Sequence, residues 1–184
     1  AALGVRPDEV RFVHGGTESV NLAVQGRYGW LRERGETGAV FLRSALEHSA
    51  VSESMDSLKA WGARVERFAV DVTGRADLPS RHELTHQRVG LVSCQWVNPE
   101  TGIVLPVPEL ADECEAAGVP LHVDAVQAVG RLPLRLEALP TPLLSLSGHK
   151  LGGPKGTGVL VVRGVELRRV LFGGGQEGGL RPGT

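Results

Sequence analysis

The stretch VGLVSCQWVNPETGIVLPVPELADECEAAGVPLHVD, Val89 to Asp124, decides the fold class. It opens on an apolar run of strand length, Val89 to Trp96. From Val107 it carries Leu110, Ala111, Cys114 and Ala117 at helical spacing, and Gly118 stops that pattern. A second apolar run, Pro120 to Asp124, follows at once. Strands that lie parallel need a crossover between them, usually a helix, so strand–helix–strand predicts a parallel pair. The alternation extends in both directions. Val10–His14, Ala39–Arg43, Val65–Val70, Leu143–Ser147 and Val159–Arg163 read as further strands. Between the first two, Val20, Ala23, Val24, Tyr28 and Leu31 follow helical spacing, with Gly35 as a stop; Val51, Met55 and Leu58 share the face of another helix. Val159-Leu160-Val161-Val162 is apolar without alternation, as in a strand covered on both faces. The expected fold is α/β: a three-layer domain with a mostly parallel sheet, without internal repeat, low-complexity tract or linker.

Composition narrows the function. The chain has 184 residues, enough for one domain with a substantial core, and its 41% hydrophobic and 22% charged fractions are those of an ordinary globular protein. A net charge of -1 offers no basic excess to neutralise phosphates, so no nucleic-acid partner is expected. Two cysteines, Cys94 and Cys114, are too few for a disulfide framework, and a reducing cytoplasm is the expected compartment. No apolar run approaches a membrane span, and no charged-then-apolar leader opens the chain. The chain starts at Ala1-Ala2-Leu3 and stops at Pro182-Gly183-Thr184, and both ends read as cut.

In sheets of this kind ligands gather beyond the carboxyl ends of the strands. Four polar groups stand where apolar runs stop: His14-Gly15-Gly16-Thr17-Glu18, Asn98, Asp124, and Ser147-Gly148-His149-Lys150. Strand ends always meet water, which explains polarity but not an acid, an amide and a lysine in motif-like surroundings. Such a set suits pyridoxal phosphate, which needs an amine to bind it covalently, a carboxylate facing the pyridine nitrogen, a phosphate cradle and a group against the ring. Asp124 ends its run with a carboxylate that can keep the ring nitrogen protonated. Lys150 follows the next run, and Gly148, Gly152 and Gly153 let backbone come close to a bulky group.

The strings around these residues are specific. Ser-Gly-His-Lys-Leu-Gly-Gly-Pro-Lys-Gly-Thr-Gly, residues 147–158, resembles the cofactor-lysine motif of cysteine desulfurases. His122-Val123-Asp124-Ala125-Val126-Gln127 resembles their pyridine-binding segment, Gly15-Gly16-Thr17-Glu18-Ser19 their first phosphate loop, and Glu47-His48-Ser49-Ala50 their ring-stacking segment. Asn98-Pro99-Glu100-Thr101-Gly102 and the glycine-rich string Gly173 to Thr184 complete a set that runs in family order across nearly the whole chain.

The resemblance implies the large, cofactor-binding domain of a fold type I enzyme over residues 1–184, without an N-terminal segment and a small C-terminal domain. It implies that Lys150 holds pyridoxal 5'-phosphate, Asp124 pairs with the ring nitrogen and Gln127 hydrogen-bonds the phenolic oxygen. His48 would stack on the ring and act as an acid or base. Gly16, Thr17, Ser147 and His149 would cradle the phosphate, and Asn98 would lie near the phenolic oxygen and the substrate carboxylate. Thr184 would reach the phosphate of a second subunit, implying a homodimer. The implied reaction of the full-length enzyme takes sulfur from L-cysteine, leaving L-alanine and an enzyme persulfide, and this chain, an incomplete portion, is expected to be inactive by itself. The sulfur would pass to a partner in iron–sulfur cluster assembly, to tRNA thiolation or to another acceptor. Two features depart from the family. His14 stands where a small or hydroxyl residue is more usual, and the family's nucleophilic cysteine and substrate-binding arginine fall beyond Thr184. Cys94 and Cys114, in a strand and on a helix's core face, read as inert core thiols.

Rival readings are an aminotransferase, a selenocysteine lyase or a kynureninase-like hydrolase on the same scaffold, and a fragment that holds the cofactor without turnover. His82-Glu83-Leu84-Thr85-His86 fits a zinc-protease pattern. No third ligand is signposted downstream, so no metal site is expected, and a solvated connecting helix accounts for the segment. Gly152 to Gly158 is shaped like a nucleotide phosphate loop but lacks the Gly-Lys-Ser/Thr ending.

Overall fold

The computed structural model describes residues 4–134, 136 and 139–183. Its strands are β1 (Val10–Val13), β2 (Val40–Ser44), β3 (Arg64–Phe68), β4 (Val89–Gln95), β5 (Leu121–Asp124), β6 (Leu143–Ser147) and β7 (Gly158–Val162). The helices between them are α1 (Gly16–Glu33), α2 (Ser49–Ser57), α3 (Arg81–His86) and α4 (Val107–Ala117). Every run read as a strand from sequence is a strand here, with ends shifted by a residue or two.

The strands form one sheet in the order β1-β7-β6-β5-β4-β2-β3. The pairs β2–β3, β2–β4, β4–β5 and β5–β6 are parallel, and β7 alone runs against its neighbours β1 and β6. The reason lies in the connection. Between Ser147 and Gly158 the chain makes a single 3₁₀ turn, Gly148–Leu151, which is too short to carry a crossover. So β7 folds back beside β6.

Side chains alternate between the two faces along each strand. Phe41, Leu91, Leu143 and Leu160 point to the side covered by α1 and α2, where they meet Val20, Ala23, Val24, Tyr28, Val51 and Met55. Phe41 and Leu91 are fully buried, each stabilising the fold by roughly 1.5–3 kcal/mol through burial. Tyr28 meets Phe41 edge-on, with ring centroids 5.8 Å apart. Val40, Leu42, Val92, Cys94, Leu121, Val123, Leu144 and Leu146 point the other way, toward α3 and α4.

The face under α1 also holds polar residues. Ser93, His122 and Ser145 sit side by side on β4, β5 and β6, and all are fully buried. His122 joins Ser93 Oγ at 2.9 Å and Ser145 Oγ at 2.8 Å, and Ser19 of α1 donates to Ser145 Oγ at 2.7 Å. Burial pushes the His122 imidazole down to about 3, so it is neutral. This ladder anchors the start of α1 over the strands that end at Asp124 and Ser147.

Candidate functional site

The carboxyl ends of the parallel strands surround a cavity of about 300 Å³. Gly16 and Thr17 reach it after β1, His48 after β2, and Gln95 and Val97 at the end of β4. Asp124, Val126 and Gln127 come from the end of β5, and Ser147, His149 and Lys150 from the end of β6. Apart from Asn98, every described residue proposed from sequence faces this one space.

One end of the cavity suits an anion. Helix α1 starts at Gly16 with no side-chain cap, so the amide groups of its first turn point outward with the helix dipole behind them. Thr17 contributes a hydroxyl beside them. Ser147 Oγ and His149 Nδ1 lie 2.9 Å apart against the same loop. The loop's position is set by close backbone approach. Gly15 has φ +147°, and a Cβ on Gly158 would come 2.6 Å from the Gly15 Cα. Only a glycine at 158 lets β7 begin there. His14 borders the same loop, and the Arg181 guanidinium contacts its ring at 2.6 Å and forms a salt bridge with Glu18 at 3.3 Å.

The same cavity holds an acid. Asp124 is buried, with Oδ1 accepting the Val126 N–H at 3.0 Å. Burial pushes its carboxyl above the usual range, while the Val126 amide and the His48 imidazole pull it down. A cation against this carboxylate would offset the cost of burying it, and a protonated ring nitrogen is such a cation. The cavity therefore fits a flat aromatic phosphate: an anion cradle, a buried acid and an amine line the same space.

Lys150 supplies that amine from the single turn after β6. Arg131, which no sequence signal singled out, braces this turn by donating to the backbone oxygens of Lys150 and Gln127, each at 3.3 Å. His48 caps α2, its Nδ1 accepting the Ala50 N–H at 3.1 Å. Asn98 stands apart from the cavity lining. Its Oδ1 accepts the N–H groups of Glu100 at 3.0 Å and Thr101 at 2.9 Å, and its Nδ2 donates to the Leu46 oxygen at 3.2 Å. The amide shapes a turn, leaving Gln95 as the β4 residue that reaches the cavity. Thr184 lies outside the described residues.

Other polar groups lie elsewhere. Cys94 and Cys114 are buried in the core of the opposite face. Burial drives both thiols up, that of Cys114 to about 12. Glu83 of the His82–His86 segment is engaged in capping α3, accepting the Ser80 N–H at 2.8 Å and the Ser80 hydroxyl at 2.6 Å. A more open groove of about 500 Å³, lined by Arg27, Trp30, Arg163 and Glu166, holds no lysine among the described residues.

The family model for aminotransferase class-V matches residues 1–178. The chain is 41% identical over 187 residues to a cysteine desulfurase of Sinorhizobium fredii (strain NBRC 101917 / NGR234), covering 100% of this chain and 47% of that protein. Among solved structures, DndA from Streptomyces lividans superposes with a TM-score of 0.87 at 38% identity, over 100% of this chain and 52% of that one. SspA in complex with cysteine superposes with a TM-score of 0.88 at 34% identity, over 100% and 53%. The chain spans about half the length of the relatives it matches. The sequence, the sheet and the cavity at its strand ends agree, and the chain belongs to the aminotransferase class-V family.

Proposed function

We propose that this chain is the cofactor-binding part of a cysteine desulfurase, which removes sulfur from L-cysteine and leaves L-alanine, with pyridoxal 5'-phosphate held in the cavity. The observation that carries the reading is that Asp124 and Lys150 line one cavity with Gly16, Thr17, Ser147 and His149 of the anion cradle. Likeness to an enzyme named cysteine desulfurase, and to a protein solved in complex with cysteine, supports the choice of substrate.

When bound, pyridoxal phosphate supplies an electron sink that acidifies the substrate's α-carbon. Lys150 Nζ would hold it covalently, and its amine would serve as a proton carrier. Asp124 would keep the ring nitrogen protonated, and Gln127 would hydrogen-bond the phenolic oxygen. His48 would stack on the ring. The α1 amides, Thr17, Ser147 and His149 would bind the phosphate. The thiolate that accepts the sulfur as a persulfide is neither Cys94 nor Cys114, because both are buried away from the cavity. It comes from outside these residues, as does the group that binds the substrate carboxylate.

The proposal extends to a cytoplasmic homodimer in which Thr184 contributes to the partner's phosphate site, and to a sulfur-accepting protein. The glycine-rich string before Thr184 supports the first part, together with Phe172, 76% exposed just ahead of it. The activity is tested by incubating the full-length protein, of which this chain is the cofactor-binding part, with L-cysteine and a reductant. Equal amounts of sulfide and alanine, lost in Lys150→Ala, are expected. Transfer of the amino group to a 2-oxo acid without sulfide release would instead make it an aminotransferase.

A further inference from the structure

The loop from Ala45 to His48 carries one cavity residue, His48, and its path is dictated by its neighbour. Glu47 is half-buried, with its carboxyl turned inward against the end of β4. Its Oε1 accepts the Ser44 hydroxyl at 2.6 Å and the backbone N–H of Gln95 at 2.8 Å. That N–H lies just past the last paired residues of β2 and β4, Arg43 and Ser93, so the carboxyl continues the ladder where the strands part. The preceding carbonyl, of Leu46, is held by the side chains of Gln95 and Asn98. Two consecutive residues of the loop are thus pinned to the end of β4, and the next residue is His48.

We infer that Glu47 is a positioning residue of this site: its buried carboxyl clamps the β2–α2 loop to β4 and so fixes where His48 stands at the cavity. What His48 does against a bound ring rests on the function proposed above; the clamp itself does not.

The chemistry of the clamp favours an uncharged carboxyl. Glu47 Oε2 is buried without a hydrogen-bond partner, a poor situation for a carboxylate oxygen. Burial, reinforced by the negative charge of Asp124, pushes Glu47 up to about 7, against the Ser44 hydroxyl, the Gln95 amide and Arg43, which pull it down. The groups facing it are Asp124 on β5, Arg43 on β2 and the neutral Cys94 thiol on β4. A negative charge on Asp124 helps keep the proton on Glu47. Because the folded value lies above the ordinary 4.5, folded protein keeps a proton that unfolded protein releases. This contribution to stability is full below pH 4.5, is lost as pH rises toward about 7, and changes little above that.

The test uses cofactor-free protein, with the His48 ring resonance identified by its loss in His48→Gln. In Glu47→Ala the resonance should shift from its wild-type position, because the ring no longer keeps its place at the start of α2, where Nδ1 accepts the Ala50 N–H. In Glu47→Gln, which mimics the protonated acid, it should stay. The Gln variant should also be more stable than wild type at pH 8 and lose that advantage at pH 4. The Ala variant should weaken pyridoxal phosphate about tenfold. An unmoved His48 resonance in Glu47→Ala overturns the clamp, and so does a Gln variant without a pH-dependent advantage. Should Glu47→Ala not fold, Ser44→Ala, which removes one of the two donors, must shift the His48 resonance; no shift overturns the clamp. Failure of pyridoxal phosphate to label Lys150 would remove the proposed function while leaving these readouts intact.

Discussion

Asp124 and Lys150 stand at the ends of neighbouring strands, β5 and β6, and line the same cavity. The pairing of those strands thus brings together an acid and an amine separated in sequence by an irregular connection. Their chemistry is coupled only through whatever lies between them, and the substitutions below act on the two ends separately.

Asp124→Asn should retain cofactor on Lys150 but lower turnover by on the order of 10²-fold or more, since the ring nitrogen loses its charged partner. The cofactor-free protein should behave in the opposite sense. The folded value of Asp124 lies above the ordinary 3.8, so its contribution to stability is present at low pH and lost as pH rises above about 3.8. The Asn variant escapes that loss. Melting curves from pH 4 to pH 8 should show the variant gaining on wild type as pH rises.

Gly158→Ala should displace the phosphate loop, because its Cβ would press on the Gly15 backbone. Overpacking of this kind costs about 1–3 kcal/mol in stability. Affinity for pyridoxal phosphate should fall by at least about tenfold, while that for unphosphorylated pyridoxal changes little. Titrating both compounds against both proteins checks the assignment of the cradle.

Arg131→Ala should loosen the turn that carries Lys150, since its side chain ties the Lys150 oxygen of that turn to the Gln127 oxygen after β5. Loss of two such contacts corresponds to about 1–3 kcal/mol. Slower covalent capture of pyridoxal phosphate, with the fold unchanged by circular dichroism, is the expected result.

Neither cysteine should react in the folded protein. Raising a thiol from 9.0 to about 12, as burial does to Cys114, lowers its thiolate fraction at pH 8 by about 10³-fold. A thiol-specific disulfide reagent should titrate both cysteines only after denaturation. Rapid reaction of either one in folded protein would reopen its candidacy as the nucleophile.

How far the sequence could be read depended on the kind of information asked of it. Apolar runs and helical spacing located every strand, because burial on both faces leaves an unmistakable composition in runs such as Val159–Val162. The reversal of β7 was written only in the length of the connection from Ser147 to Gly158. The polar ladder of Ser93, His122 and Ser145 was hidden, since a serine inside an apolar run gives no sign of which partner it meets. The cavity residues were legible where a motif carried them, as at Thr17, His48, Asp124 and Lys150. Gln95, Glu47 and Arg131 were not singled out because they act through backbone groups distant in sequence. Asn98 shows the converse: a motif residue whose amide is engaged in building its own turn.

The central claim is that Lys150 carries pyridoxal phosphate, and reduction with borohydride tests it most directly. The protein is incubated with pyridoxal phosphate, reduced, digested and mapped by mass spectrometry. A phosphopyridoxyl group on the peptide containing Lys150, absent in Lys150→Ala, is the predicted result. A label on Lys155 or Lys59 with Lys150 unmodified would contradict the account.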